Sequence, residues 1–409
     1  MNYLNDLIAD RLGGLNFDKG IDIYKFEKIK RAKAEARIKN PTMKLIDLGV
    51  GEPDSWASKE VVNVLYHEAG KKENRFYADN GIIEFQEAAC KYVNKVYGVK
   101  GLDPKKNIVH GIGSKSILAM LPTCVINPGD YVLTTTPGYP ILGTYTKYLG
   151  GKVYKLEIKK ENNYLPDLSK IPKEVLIKTK ILYINYPNNP TGQVATKEFF
   201  ESVVDFAKRN KILVVHDAAY GAITFDGYKP LSFLSIDGAL DVSVEIHSLS
   251  KAFNMTGWRM AFIAGNEKII KAYATVKDNT DSGQFRAIQK AGVYALNHTE
   301  ITDEICKKYS RRFDLLVNVL KEVGFDAEKP KGSFYLYVKC PIGAGNVRFK
   351  SAEEVSEYFI KNALVSTVPW DDVGSYLRFS VTFEASEDEE IKIINELGAR
   401  LKSLNLIFE

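Results

Sequence analysis

Between residues 107 and 264 one pattern recurs. A short apolar run, rich in β-branched residues, ends in a loop of small or polar residues, and most of these loops lead into a helix. The runs 107–111, 131–136, 181–186, 211–216 and 242–247 predict strands, and 260–264 predicts one more. The runs 181–186, 211–216 and 260–264 are apolar nearly throughout rather than alternating. Strands of that kind are covered on both faces, so the pattern predicts a mostly parallel sheet flanked by helices, an α/β fold. Amphipathic spacing predicts helices over 61–69, 82–97, 116–126, 199–209 and 302–323. After about residue 300 the rhythm changes. Residues 334–338 and 376–381 read as strands on either side of a charged helix near 352–362, which predicts a second, smaller α+β domain. The expected division is 1–50 as an N-terminal arm with part of the small domain, 51–300 as a large ligand-binding domain, and 301–409 as the small C-terminal domain.

Length and composition narrow the classes without choosing among them. The 409 residues are enough for two or three domains and a large core. The 56 basic and 51 acidic residues give a net charge of +5, too mild to argue for a nucleic-acid partner. The densest basic stretch, 25–39, is interspersed with alanines and reads as an exposed helix face. Cys90, Cys124, Cys306 and Cys340 are scattered, with neither metal spacing nor a disulfide framework. No apolar run approaches the roughly 18 residues of a membrane helix. The first residues lack a charged region followed by an apolar core, so no secretory signal is expected. The expectation is a soluble, cytoplasmic protein without a membrane or nucleic-acid partner.

The chemistry lies in the loops, which the pattern places at the carboxyl ends of the strands, where open α/β sheets bind ligands. One loop carries Lys251 between Ser248 and Ser250 on one side and Arg259 on the other. Alone, such a lysine reads as a solvated cation after a strand. A lysine amine also forms a Schiff base with a carbonyl, most productively with pyridoxal phosphate, which then serves as an electron sink. That cofactor makes further demands, and the other loops answer them. Ser114 and Lys115 follow Gly113 and open a helix after a strand, a place where backbone amides and the helix dipole bind phosphate. Ser248, Ser250 and Arg259 add donors. Asp217 ends a buried strand and can pair with a pyridine nitrogen. Tyr220 and Asn189 can reach a phenolic oxygen, and Tyr139 can stack on a ring. Each of these also has an ordinary reading as a cap, turn or core residue. Arg378 lies in an otherwise apolar strand and suits a substrate carboxylate or a structural ion pair. His216 and His247 each end a strand; further ligands at metal spacing are missing, so both read as histidines of the site wall.

Taken together and in order, the motifs at Gly51 to Asp54, Gly113 to Lys115, Pro187 to Gly192, Asp217 to Tyr220, Ser248 to Lys251, Gly257 to Arg259 and Arg378 to Ser380 resemble the class I/II aminotransferases of pyridoxal phosphate fold type I. The match runs from about residue 20 to 385. The resemblance implies amino-acid and 2-oxo-acid substrates and pyridoxal 5'-phosphate as cofactor. It implies that Lys251 holds the cofactor and shuttles a proton. Asp217 would pair with the pyridinium nitrogen, and Asn189 and Tyr220 would contact the phenolic oxygen. Ser114, Lys115, Ser248, Ser250 and Arg259 would surround the phosphate, with Tyr139 stacked on the ring and Gly51 and Arg378 on the substrate carboxylate. It also implies a homodimer in which each copy lends a loop to the other's site. There the usual phosphate-binding tyrosine position falls on Phe76, with Tyr77 next to it, so either Tyr77 takes the contact or it is missing. Asp79 and Tyr24 resemble further substrate contacts. An aminotransferase for aspartate, alanine or aromatic amino acids, a lyase on the same fold and a non-catalytic regulatory member are the alternatives. The last would carry a DNA-binding domain, and the first 40 residues hold no helix-turn-helix pattern.

Overall fold

The computed structural model describes residues 3–17 and 25–409, so Tyr24 lies outside the described residues. The chain forms two compact units. The larger comprises Gly51–Leu315 with Glu328–Tyr337, and the smaller comprises Met1–Val50, Leu316–Ala327 and Val338–Glu409.

The larger unit is built on a seven-stranded sheet. Its strands are Ile108–Gly111 (β1), Tyr131–Thr136 (β2), Lys152–Glu157 (β3), Thr179–Asn185 (β4), Leu213–Asp217 (β5), Ser243–Ser248 (β6) and Ala261–Gly265 (β7). Their spatial order is β1-β7-β6-β5-β4-β2-β3. All neighbours are parallel except β7, which runs antiparallel to both β1 and β6. The expected α/β architecture is therefore present, with one reversed strand. The core strands are buried on both faces because helices cover both. Val132, Ile181, Val215 and Ile263 pack with Ile117, Leu118 and Leu121 on one face. Leu133, Leu182, Ile184 and Val214 pack with Phe200, Val203 and Ala207 on the other. A third apolar cluster gathers Phe85, Tyr92, Phe253, Met260 and Ala291.

The edge strand β3 was not visible in the apolar pattern. It alternates Lys152, Val153, Tyr154, Lys155, and only Leu156 within it is buried, because an edge strand needs cover on little of its surface. Helices Ile141–Tyr148, Glu267–Asp278, Arg286–Asn297 and Glu387–Lys402 also go beyond the elements expected from sequence.

In the smaller unit, Ile46–Asp47 pairs in parallel with Val365–Ser366, and Val368–Trp370 pairs antiparallel with Tyr376–Ser380. Helices Lys25–Lys39, Ala352–Ala363 and Glu387–Lys402 belong to this unit. Among the described residues no helix is long and apolar enough to cross a membrane, and no group of three or more His, Cys, Asp and Glu could hold a metal ion.

Candidate active site

Sheet register gathers the loops. Asn185 stands opposite Asp217, and Asp217 opposite Ile246. Ser248 and Gly111 both stand opposite Ala261. The segments that leave β1, β4, β5 and β6 therefore emerge at one edge. Because β7 is reversed, the segment carrying Gly257, Trp258 and Arg259 enters the sheet at that same edge.

Lys251 sits in the four-residue helix Leu249–Ala252. Ser248 caps it, its Oγ accepting from the Ser250 amide at 3.2 Å. The cap uses the last residue of the strand, so the lysine is presented immediately where β6 ends. Lys251 Nζ donates to Gly51 O at 2.9 Å and lies 5.6 Å from the centre of the Phe334 ring.

An anion cradle lies beside it in the sheet. Gly113 holds φ +77°, and a Cβ there would fall 2.2 Å from Arg259 Nη2. The bare glycine lets the guanidinium lie against the backbone that opens helix Ser114–Val125. Arg259 is itself left-handed, with φ 56°, and its Nη1 donates to Thr256 O at 2.8 Å. Thr256 Oγ1 donates in turn to Ser250 O at 3.1 Å, which ties this loop to the lysine turn. Ser114 Oγ is buried and meets no hydrogen-bond partner among the described residues. A buried orphan hydroxyl, a helix N-terminus and a guanidinium suit a phosphate. Lys115 is exposed on the same turn.

Asp217 is buried. Its Oδ2 accepts from Tyr183 OH at 3.1 Å and its Oδ1 from the Ala219 amide at 3.2 Å. Burial pushes its carboxyl above its ordinary value, and these two hydrogen bonds, with His216 and His247, work against that rise. Burial and the nearby carboxylate push the Tyr183 hydroxyl well up, so it remains a donor. Asn185 Nδ2 donates to Asp217 O at 2.8 Å while its Oδ1 accepts from the Asn189 amide at 2.9 Å. One side chain thus ties the Asn189 turn to the carboxylate strand. Tyr220 OH lies 3.1 Å from Tyr335 OH, and the Phe334 ring meets Tyr220 edge-on at 5.3 Å. Tyr139 is half-buried and packs against the sheet core.

His216 and His247 share a carboxylate. Both are buried, and Glu245 Oε2 lies 2.7 Å from His216 Nδ1 while its Oε1 lies 2.7 Å from His247 Nε2. Ser232 Oγ and the Phe233 amide also donate to this carboxylate. Burial acts to raise the Glu245 pKa, but the histidines outweigh it and hold the group well below the usual carboxylate range. The loop of Phe76, Tyr77 and Asp79 is exposed, and Arg286 Nη2 donates to Tyr77 O at 2.7 Å. Arg378, in the smaller unit, is buried and its Nη2 donates to Gly49 O at 3.2 Å. There Ser380 N also donates to Leu48 O at 2.7 Å, and Thr382 Oγ1 to Val50 O at 3.4 Å.

The sequence reading passed over Tyr183, Asn185, Phe334 and Tyr335. Tyr183 and Asn185 sit inside an apolar run, and only their alternation with Leu182 and Ile184 marks them as sharing a face. Phe334 and Tyr335 come more than a hundred residues after Tyr220, which both meet.

The arrangement offers an amine, an anion cradle and a buried carboxylate at one sheet edge, the equipment of an enzyme that works through a bound phosphorylated carbonyl. Residues 43–393 match the family of aminotransferase class I and II, and the chain belongs to that family. It is 55% identical, over all of both chains, to LL-diaminopimelate aminotransferase of Methanocaldococcus jannaschii. It is 53% identical to the LL-diaminopimelate aminotransferase of Methanococcus maripaludis, again over the full length of both. Among solved structures, substrate-bound BacF from Bacillus subtilis superposes with a TM-score of 0.88 at 32% identity, covering 98% of each chain.

Proposed function

We propose that this chain is a pyridoxal-phosphate-dependent aminotransferase that interconverts tetrahydrodipicolinate plus glutamate with LL-diaminopimelate plus 2-oxoglutarate, in lysine and diaminopimelate synthesis. The observation that carries it is the 55% identity to an LL-diaminopimelate aminotransferase along the whole chain. The buried orphan Ser114 Oγ, the glycine-backed Arg259 and the buried Asp217 fit the phosphate and the ring nitrogen of that cofactor. Lys251 would hold it by its amine. When bound, pyridoxal phosphate supplies the electron sink that stabilises the charge left as a substrate loses its α-proton.

The chain's own residues do the rest. Ser114, Lys115, Ser248, Ser250 and Arg259 bind the phosphate. Asp217, oriented by Tyr183, keeps a proton on the ring nitrogen, and its burial strengthens that pairing. Tyr220, steadied by Tyr335, and Asn189, steadied by Asn185, bind the phenolic oxygen. Tyr139 stacks on the ring. Lys251 Nζ takes the α-proton and gives it back, base and then acid. Arg378 is the fork-shaped cation for a substrate carboxylate. Gly51 completes the substrate contacts.

The working form is a cytoplasmic homodimer. Trp56 is 90% exposed and Tyr77 79% exposed, and Tyr66 and Phe76 are exposed as well. Large aromatic side chains left in water mark a surface that a second copy covers. Each copy would then offer Tyr77 and Asp79 to the other's site, Asp79 towards a distal ammonium.

The test is a half-reaction on the purified protein, following visible absorbance with LL-diaminopimelate, meso-diaminopimelate, aspartate, alanine and glutamate in turn. Conversion with LL-diaminopimelate and glutamate alone is expected. Conversion with aspartate or alanine instead would discard the substrate, and no cofactor band at all would discard the cofactor.

A further inference from the structure

Gln284 lies outside every motif named above. It precedes helix Arg286–Asn297, is partly buried, and carries the only kind of side chain that can do what the geometry there asks. Its Nε2 donates to Trp258 O at 2.6 Å and to Arg259 O at 3.1 Å. Its Oε1 lies 2.9 Å from His110 Nε2. An amide oxygen only accepts, so His110 carries its proton on Nε2. That agrees with its surroundings. His110 is fully buried, burial pushes its pKa down to about 4, and its Nδ1 meets no hydrogen-bond partner among the described residues. The imidazole is neutral and donates.

The two ends of this carboxamide reach two different parts of the cradle. One end holds the carbonyls of the Arg259 turn, where a non-glycine residue at φ 56° sits in a conformation rarely kept without support. The other end holds β1 at His110, just before the segment that presents Gly113 and Ser114. Gln284 is fixed in its turn. Its own carbonyl accepts from Gln289 Nε2 at 2.8 Å, and Gln289 Oε1 accepts from the Ile82 amide at 2.8 Å. The Gly283 amide donates to Asp281 Oδ1 at 2.8 Å, and Asp281 pairs with the buried Lys277.

We infer that Gln284 is a positioning residue of the phosphate site, a single carboxamide that sets the separation of the Arg259 turn from the Gly113–Ser114 turn by bonding to the backbone of the first and to His110 on the strand that leads into the second. This rests on the reading of that cradle as a phosphate site. The chemistry excludes the near substitutes. A glutamate at this position repels two carbonyls it should donate to, an apolar methionine offers nothing, and an asparagine is one methylene short.

The experiment uses the full-length protein freed of cofactor. Pyridoxal 5'-phosphate and pyridoxal, which lacks the phosphate, are titrated separately into the wild type and into the Gln284→Glu and Gln284→Met variants, with visible absorbance as the readout. Two lost hydrogen bonds to a turn predict that affinity for pyridoxal 5'-phosphate falls by about tenfold or more, while affinity for pyridoxal changes little. Unchanged affinity for pyridoxal 5'-phosphate in both variants would overturn the inference. So would an equal loss for both compounds, which marks a general structural role. A wild type that does not distinguish the two compounds overturns the phosphate site itself, and is told apart by needing no variant. Should the glutamate variant not fold, the methionine variant decides alone.

Discussion

The guanidinium of Arg259 occupies the space that a side chain on Gly113 would need: a Cβ on residue 113 would fall 2.2 Å from Nη2 and 2.7 Å from Cζ. Residue 113 also sits at φ +77°. The Gly113→Ala variant therefore meets both a strained backbone and a displaced cation. The expected cost is about 1–2 kcal/mol of stability from the backbone alone, with affinity for pyridoxal 5'-phosphate lower by about tenfold. Urea unfolding and cofactor titration check the two parts separately. An alanine variant that binds like the wild type would show that Arg259 can retreat without loss.

Lys251 is held by a hydrogen bond to Gly51 O and packs near Phe334. Its removal costs little structure, so Lys251→Ala is expected to unfold within about 1 kcal/mol of the wild type. Transamination should fall by at least about a thousandfold, since the same amine serves as base and acid. Single-turnover absorbance with LL-diaminopimelate measures it. Turnover within tenfold of normal would remove Lys251 from the mechanism.

Asp217 predicts a trade between stability and activity. Its folded carboxyl takes up protons more readily than the unfolded one, because burial disfavours its charge. That contribution is fully present below the unfolded value of about 3.9 and is lost as pH rises through the higher folded value. At neutral pH, then, the cofactor-free Asp217→Asn variant should melt higher than the cofactor-free wild type, with the gap closing towards about pH 4. Its activity should drop by roughly a hundredfold or more, because a neutral amide no longer holds the ring nitrogen's proton. A melting gap of opposite sign at pH 7 would contradict the burial argument.

His110 gives the opposite pH signature. Its folded pKa is pushed down to about 4 by burial, against an unfolded value near 6.5. Between those values the unfolded chain binds a proton that the folded chain refuses. Stability should therefore fall as pH drops from about 6.5 to about 4, by roughly 3 kcal/mol in total. The His110→Gln variant should lack that slope between pH 7 and 5. Urea midpoints across the range decide it, and parallel slopes for both proteins would place the acid sensitivity elsewhere.

Much of the fold was legible before any coordinates. The runs 181–184 and 212–215 are apolar at every position, and that pattern states cover on both faces and hence parallel strands under helices. Lys251 was legible for the same local reason: a strand, a cap and a small hydroxyl-rich turn follow one another within a few residues. What stayed hidden had partners far away in the chain. Tyr183 and Asn185 look like interior residues of a strand, and only the neighbouring of β4 and β5 puts them on Asp217. His216 and His247 read as strand ends until register sets the Glu245 carboxylate between two imidazoles. Gln284 has no signal of any kind in its own neighbourhood.

The division follows from the range of the forces. Period, turn chemistry and capping act over a few residues, so the sequence by itself determined most strands of the large sheet and several of its helices, that the sheet is mostly parallel, and which loop carries the reactive amine. The reversal of β7 and the order β1-β7-β6 depend on how all the segments pack at once. Only the tertiary structure could decide that a glutamine near residue 284 would bond to a histidine on one strand and to the backbone of an arginine leading into the next. A carboxamide reaches about 3 Å, and nothing along the chain records which groups folding brings within that reach.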